Sequence, residues 1–293
     1  VAVVTTGFFD GVHLGHRHVL ETVVSSARER GEEAVVVTFW PHPRTVLQQD
    51  ARDFRILSSL EEKKALLVAA GIDRVEVIPF TRRFAAMKAD EYISLLQSRY
   101  GASLVVMGYD NRIGSDKRTA QEICAISPVP VVTVSPVISS EAEGGVEKSP
   151  ISSTRIRKAL AEGDVEAANA MLGYSYGLYG VVVAGNRMGR TIGFPTANMQ
   201  LYEPLKLVPG DGVYAVDVEV TGNVFKGMCN IGTRPTVGGT SRTIETHILD
   251  FSEDIYGLPL RLRFLRRIRD ERKFPSLDAL RQQLELDALN CKK

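Results

Sequence analysis

At 293 residues the chain exceeds the roughly 100–200 residues of one ordinary domain, so two domains with separate cores are expected. Its 44% hydrophobic and 24% charged content is that of a globular protein, and a formal charge of +1 excludes bulk attraction to nucleic acid or an anionic membrane. The three cysteines, Cys124, Cys229 and Cys291, are odd in number and stand far apart without C-x-x-C spacing, which favours a reduced compartment and no structural zinc.

The first half alternates β-branched runs with helical patterns. Val1–Thr6 reads as a strand, and its apolar run is too short for a signal segment; no later run reaches the ~18 apolar residues of a membrane span, so a cytoplasmic location is expected. Arg17–Arg30 follows as a helix whose Val19, Leu20, Val23, Val24 and Ala27 share one face, ended by Gly31. Ala34–Phe39 is the next strand. In Leu60–Ala70, Ser59 and Glu62 form an S-x-x-E capping box with Gly71 just beyond the end. Val75–Ile78, Glu91–Tyr100, Leu104–Met107 and Val129–Val134 continue the alternation. Such a pattern predicts a parallel α/β sheet covered on both faces, with ligands at the carboxyl ends of its strands.

Two short helices, Ser153–Glu162 and Asp164–Leu172, precede a change of pattern after Gly173. Tyr214, Val216, Val218 and Val220 alternate with Ala215, Asp217 and Glu219, and Thr221-Gly222-Asn223 turns the chain into Val224–Asn230. Leu260, Leu262 and Phe264 alternate with arginines. An antiparallel barrel or sandwich is predicted, closed by a terminal helix in which Leu277, Leu280 and Leu284 share a face. The boundary falls near residue 174, giving domains 1–173 and 174–293.

Chemistry concentrates in a few segments. Gly7-Phe8-Phe9-Asp10-Gly11-Val12-His13-Leu14-Gly15-His16 joins the first strand to the first helix, where a phosphate meets free N–H groups. Gly11 and Gly15 permit close backbone approach, and His13 and His16 are suited to donate hydrogen bonds to phosphate oxygens as charge builds in a displacement at phosphorus. Taken alone, H-x-x-H describes two loop histidines capping a helix better than a functional pair, and its position after the first strand is what favours function; a metal pair lacks the H-E-x-x-H pattern. Ile151-Ser152-Ser153-Thr154-Arg155-Ile156-Arg157 sets hydroxyls and arginines at another helix start, as either a triphosphate site or an N-cap. The two segments together resemble the nucleotidylyltransferase superfamily, with its H-x-G-H loop and later I-S-S-T-x-I-R.

In the second half, Gly185-Asn186-Arg187-Met188-Gly189-Arg190-Thr191-Ile192-Gly193-Phe194-Pro195-Thr196-Ala197-Asn198 spaces glycines among polar groups. Gly185, Gly189 and Gly193 can bring backbone N–H groups onto phosphates, with Thr196 and Asn198 as oxygen ligands to Mg²⁺; tight β-turns also use such glycines. No P-loop or protein-kinase motif is present. The arginines between Arg261 and Lys273 alternate with Leu262, Phe264 and Ile268 as the wet face of a strand, so no nucleic-acid surface is inferred.

Eight segments in order, G-F-F-D-G-V-H-L-G-H (7–16), T-F-W-P-H-P (38–43), G-Y-D-N-R-I-G (108–114), I-S-S-T-R-I-R (151–157), G-R-T-I-G-F-P-T-A-N (189–198), N-I-G-T-R-P-T (230–236), E-T-H-I-L-D (245–250) and I-R-D-E-R-K-F (268–274), resemble the bacterial bifunctional riboflavin kinase/FAD synthetase family over nearly the whole chain. The resemblance implies a barrel domain that phosphorylates riboflavin to FMN, and a nucleotidylyltransferase-like domain that adenylylates FMN to FAD, both with ATP and Mg²⁺. By it, Glu245 is the catalytic carboxylate and Thr196 and Asn198 hold the metal. Gly185, Gly189, Arg190 and Gly193 serve the kinase nucleotide, and Arg269 and Asp270 lie near flavin. Gly7, Asp10, Gly11, His13, Gly15, His16, Ser153, Thr154 and Arg157 form the adenylylation site, with His42 and Asp110 near its flavin or phosphates. Asn111 and Ile113 replace aromatic residues common in that family, which leaves open a chain whose adenylylation is weak beside its kinase.

Overall fold

The computed structural model describes residues 1–48, 53–138, 150–185, 188–236 and 239–292; Asn186 and Arg187 of the glycine-spaced loop lie outside them. The chain divides into two compact units, Val1–Ser153 and Thr154–Lys293.

The first unit opens with β1 (Ala2–Thr6), α1 (Leu14–Arg30), β2 (Glu33–Trp40), α2 (Pro43–Leu47), α3 (Leu60–Ala69), β3 (Arg74–Pro79), α4 (Arg82–Ala85), α5 (Ala89–Tyr100) and β4 (Ala102–Gly108). A two-stranded excursion, β5 (Arg112–Ile113) with β6 (Arg118–Thr119), leads into α6 (Ala120–Ile126) and β7 (Val131–Val134). The strands pair in parallel in the order β3-β2-β1-β4-β7. Apolar residues leave the central strands on alternate sides, so two cores form: Val4, Val35, Val105 and Met107 pack with α5 and α6, while Val3, Val36 and Val106 pack with α1. Helix α1 buries the five residues expected of its apolar face, and Gly31 ends it at φ 66°, where glycine carries no Cβ penalty. The Ser59/Glu62 capping box is formed at α3. Thr119 and Glu122 form a further capping box for α6, an element the apolar periodicity did not reveal because only Ala120 and Ile123 of its seven residues are buried.

The second unit begins with α7 (Ser153–Ala161) and α8 (Val165–Leu172). Both pack on the barrel: Leu160 O accepts from Gly210 N at 2.7 Å, and Asn169 Nδ2 donates to Phe264 O at 2.8 Å. The barrel consists of β8 (Gly177–Val183), β9 (Ala197–Leu201), β10 (Gly212–Val220), β11 (Asn223–Thr236), β12 (Gly239–Ile248) and β13 (Pro259–Arg269), with α9 (Met188–Thr191) between β8 and β9. It closes in the order β10-β11-β12-β9-β8-β13, all neighbours antiparallel, which removes exposed sheet edges. Tyr214, Val216 and Val218 point inward with Leu260, Leu262 and Phe264. Ala215 is also buried, because α10 (Leu277–Cys291) covers that outer patch with Leu284, Ala288 and Cys291. The packed helix face includes Leu284 of the Leu277-Leu280-Leu284 stripe but not Leu277. Leu277 is 58% exposed, whereas Asp287 is fully buried, since a charge on the covered side meets an arginine of β13.

Candidate active sites

In the first unit β2 and β4 flank β1, so the chain connections diverge at the carboxyl ends of β1 and β4, where open α/β sheets hold ligands. A cavity of about 190 Å³ lies there, lined by Phe9, His13, Gly15, His16, Gly108–Asn111 and Ile151–Ser153. It gathers His13, Gly15, His16, Asp110 and Ser153, residues far apart in the chain.

The loop above it is tightly constrained. Phe9, Gly11 and Val12 have φ values of 54°, 80° and 40°, a conformation disfavoured for β-branched valine. Asp10 supplies the restraint. Its buried carboxylate accepts from Leu57 N (2.9 and 3.1 Å) and Ser58 N (3.2 Å), while Ser58 Oγ accepts from Gly11 N at 3.0 Å. Asp10 therefore fixes the loop and does not line the cavity; Ser153 Oγ donates to its carbonyl at 3.0 Å.

His13 caps α1, its Nδ1 accepting from His16 N at 3.3 Å, so the Nε2 side is the one that carries a proton in the neutral ring. The two imidazoles stack with centroids 3.6 Å apart. Gly15 makes this possible, since a Cβ there would stand 3.2 Å from the His13 ring. Burial, then the nearby His13 and Lys63, hold the His16 imidazole well below the usual histidine range; its Nδ1 is buried without a hydrogen-bond partner among the described residues. His16 is thus a neutral imidazole at physiological pH. His42 caps α2, accepting from Arg44 N at 3.0 Å, and packs on Phe8 and Phe54 at 4.1 and 4.3 Å. Gly7 faces a different cavity, of about 510 Å³, walled by Phe8, Phe39, Phe80, Phe84, Tyr92 and Ile113. Asn111 lines both cavities and donates from Nδ2 to Thr6 O at 3.3 Å. Thr154 and Arg157 lie on the first turns of α7, in the second unit.

Two cavities flank β9 in the second unit. One, of about 280 Å³, is lined by Gly189, Phe194, Thr196, Asn230, Glu245, His247, Arg269, Arg272 and Phe274. The other, of about 360 Å³, is lined by Arg190, Pro195, Thr196, Ala197, Phe251 and Tyr256 among others. Thr196 belongs to both. Pairing of β12 with β9 sets Glu245 opposite Asn198; Thr196, just before β9, lines a cavity together with Glu245, whereas Asn198 lines neither cavity. The amide of Asn198 lies against Gly185, where a Cβ would overlap it. These are hard oxygen donors. Among the described residues no cluster of three His, Cys, Asp or Glu could hold a metal, so a magnesium ion would take two or three of these oxygens and complete its shell from phosphates and water. His247 Nδ1 lies 2.8 Å from Pro195 O and pins the turn before Thr196. Arg269 is drawn to Asp287 (2.8 and 2.9 Å), and Asp270, 86% exposed, pairs with Arg267 outside the cavity.

Sequence reasoning missed Lys63, Ser58, Asn230, His247 and Arg272 as site residues. His247 sits inside a quoted motif, E-T-H-I-L-D; Lys63 carried no signal beyond its place in a capped helix.

A family model for FAD synthetase matches residues 1–155, and one for riboflavin kinase matches residues 172–293. The Bacillus subtilis bifunctional riboflavin kinase/FMN adenylyltransferase is 36% identical, covering 98% of this chain and 90% of its own length. The Escherichia coli K12 protein of the same name is 37% identical, covering 99% and 91%. A solved Streptococcus pneumoniae structure described as a macrolide-efflux protein superposes with a TM-score of 0.92 at 35% identity, over 100% of this chain and 94% of that one. No helix among the described residues here is long and apolar enough to cross a membrane.

Proposed function

From membership of the bifunctional riboflavin kinase/FMN adenylyltransferase family, to which this chain belongs, we propose how its two units divide the chemistry. The enzyme phosphorylates riboflavin to FMN and adenylylates FMN to FAD. The kinase site is the pair of cavities around β9. Riboflavin occupies the one with Glu245, Phe194 and Phe274, ATP the one with Arg190 and Phe251, and the γ-phosphate reaches the acceptor at Thr196. Glu245 takes the proton of the ribityl hydroxyl as its oxygen bonds to the γ-phosphorus and the bond to ADP breaks. Thr196 and Asn198 hold Mg²⁺, which neutralises phosphate charge when bound; Gly185, Gly189 and Gly193 admit the phosphates closely. Arg269 and Arg272 border the flavin, and Asp270 reaches it least directly.

Adenylylation uses the first unit. ATP lies over His13, Gly15, His16 and Ser153, with Gly7, Asp10 and Gly11 shaping the loop. The FMN ring enters the aromatic cavity, whose flat apolar walls suit a fused heteroaromatic ring. An FMN phosphate oxygen attacks the α-phosphorus near Asn111 and Asp110, and pyrophosphate leaves. On this reading the functional limits remain 1–173 and 174–293, although α7 and α8 pack on the barrel. The three free cysteines suit a cytoplasmic enzyme.

The observation that carries this reading is that each unit assembles its own motif residues, remote in sequence, around cavities of its own. Chromatography of products from two variants tests it. Glu245→Ala should stop FMN formation yet convert supplied FMN to FAD. His16→Ala should do the reverse, losing about 10²–10³ in adenylylation rate. Variants that each retain both activities would sink the assignment.

A further inference from the structure

Lys63 lies on α3 in the first unit, fully buried, and none of the sequence motifs includes it. Its Nζ donates to Phe8 O at 3.0 Å and Phe39 O at 3.3 Å, tying together the loop after β1 and the end of β2. The ammonium also stands 3.7 Å from the centre of the Phe8 ring and 5.5 Å from that of Trp40. It makes no ion pair among the described residues. Asp10, the carboxylate that acts on it electrostatically, spends both oxygens on the Leu57 and Ser58 amides.

An ammonium removed from water with no carboxylate in ion-pair contact is costly, and a methionine, one atom shorter, would occupy the space beside Phe8, Phe39 and Trp40 without that cost. A charge kept in such a place acts on something nearby. The polyanion of this unit is the nucleotide, seated on the same loop and over His16, which already senses the Lys63 charge.

We infer that Lys63 is a positioning residue for adenylyl transfer, whose buried ammonium locks the Gly7–Asp10 turn onto the end of β2 and supplies the triphosphate with a fixed positive field. The inference rests on the adenylylation site assigned above. It has a pH signature. Burial pushes the Lys63 ammonium down to about 7, Asp10 opposing this only in part. The other titratable groups nearby are His13 at the cap of α1, His16 on it and His42 at the cap of α2, with Glu62 and Lys64 beside it in the chain on α3. His16 titrates below the usual histidine range, on the acid side of Lys63. The free enzyme therefore loses the useful cation as pH rises through about 7, whereas bound ATP favours the cation and moves that loss to higher pH.

The test compares the two activities of the full chain. In the wild type, kcat/KM for ATP in FAD formation from FMN should fall as pH rises through about 7, with kcat at saturating ATP holding to higher pH. FMN formation from riboflavin, which uses the same ATP, controls for titration of the nucleotide. Lys63→Met should lower kcat/KM for ATP in FAD formation about 10- to 100-fold and abolish the alkaline limb, leaving FMN formation within about twofold. Wild-type adenylylation within about twofold in Lys63→Met, or identical pH profiles for both wild-type activities, would overturn the inference. The wild-type profile decides even if the variant fails to fold. His16→Ala separates the two levels: if it still makes FAD, the site itself is misassigned, and if it stops while Lys63→Met does not, only the role of Lys63 falls.

Discussion

Replacing Asp287 by asparagine removes one buried charge with almost no change of volume. Asp287 Oδ2 accepts from Arg269 Nε and Nη2 at 2.9 and 2.8 Å, and Oδ1 accepts from Gln283 Nε2 at 2.7 Å. Gln283 Oε1 in turn accepts from Arg272. An asparagine must turn its NH₂ toward one donor or the other. Facing Arg269, it sets donors against a guanidinium; facing Gln283, it forces that amide to flip and give up Arg272. Breaking a buried pair from one side costs roughly 3–5 kcal/mol, and because Asn keeps one acceptor and Arg269 is 17% exposed, we expect about 3 kcal/mol. For a unit of this size that lowers the unfolding midpoint by about 10 °C, measured by calorimetry or circular dichroism on the full chain. Arg269, Arg272 and Phe274 line the cavity proposed for riboflavin, so KM for riboflavin should rise while adenylylation of supplied FMN is spared. The double variant Arg269→Met/Asp287→Leu should recover most of the stability but not the riboflavin affinity. A midpoint for Asp287→Asn within about 2 °C of wild type would refute the buried-charge argument.

Other perturbations probe separate links. Gly114→Ala should destabilise the first unit by about 2 kcal/mol or more, since φ is 80° there and a Cβ would overlap the backbone N of Ala89; unaltered melting would show that the β5–β6 excursion is not so confined. Asn198→Ala should raise the Mg²⁺ concentration needed for half-maximal FMN formation without changing that for FAD formation. Equal metal titrations for wild type and variant would remove Asn198 from the metal site.

The sequence alone determined what depends on near neighbours and on order along the chain. Helix faces such as Val19–Ala27, the Ser59/Glu62 cap and the strand alternation of Tyr214–Val220 follow from periodicity, capping and residue type, while the eight motif segments were read through a family resemblance. These were enough for the α/β and barrel classes and for a few polar residues around each of the smaller cavities. The tertiary structure decided what depends on contacts between remote segments. Asp10 is spent on Leu57 and Ser58, so it shapes the loop. Arg269 is anchored by Asp287 on the terminal helix, whose packed face therefore carries, beside Leu284, a buried charge that the leucine spacing did not indicate. Helices α7 and α8 pack on the barrel even though α7 carries the I-S-S-T-R-I-R segment expected at the adenylylation site. Lys63 reads in sequence as one more solvated helix lysine. Only the convergence of Phe8, Phe39 and Trp40 removes it from water, because a side chain's charge state and role are set by its surroundings in space, and no local pattern encodes them.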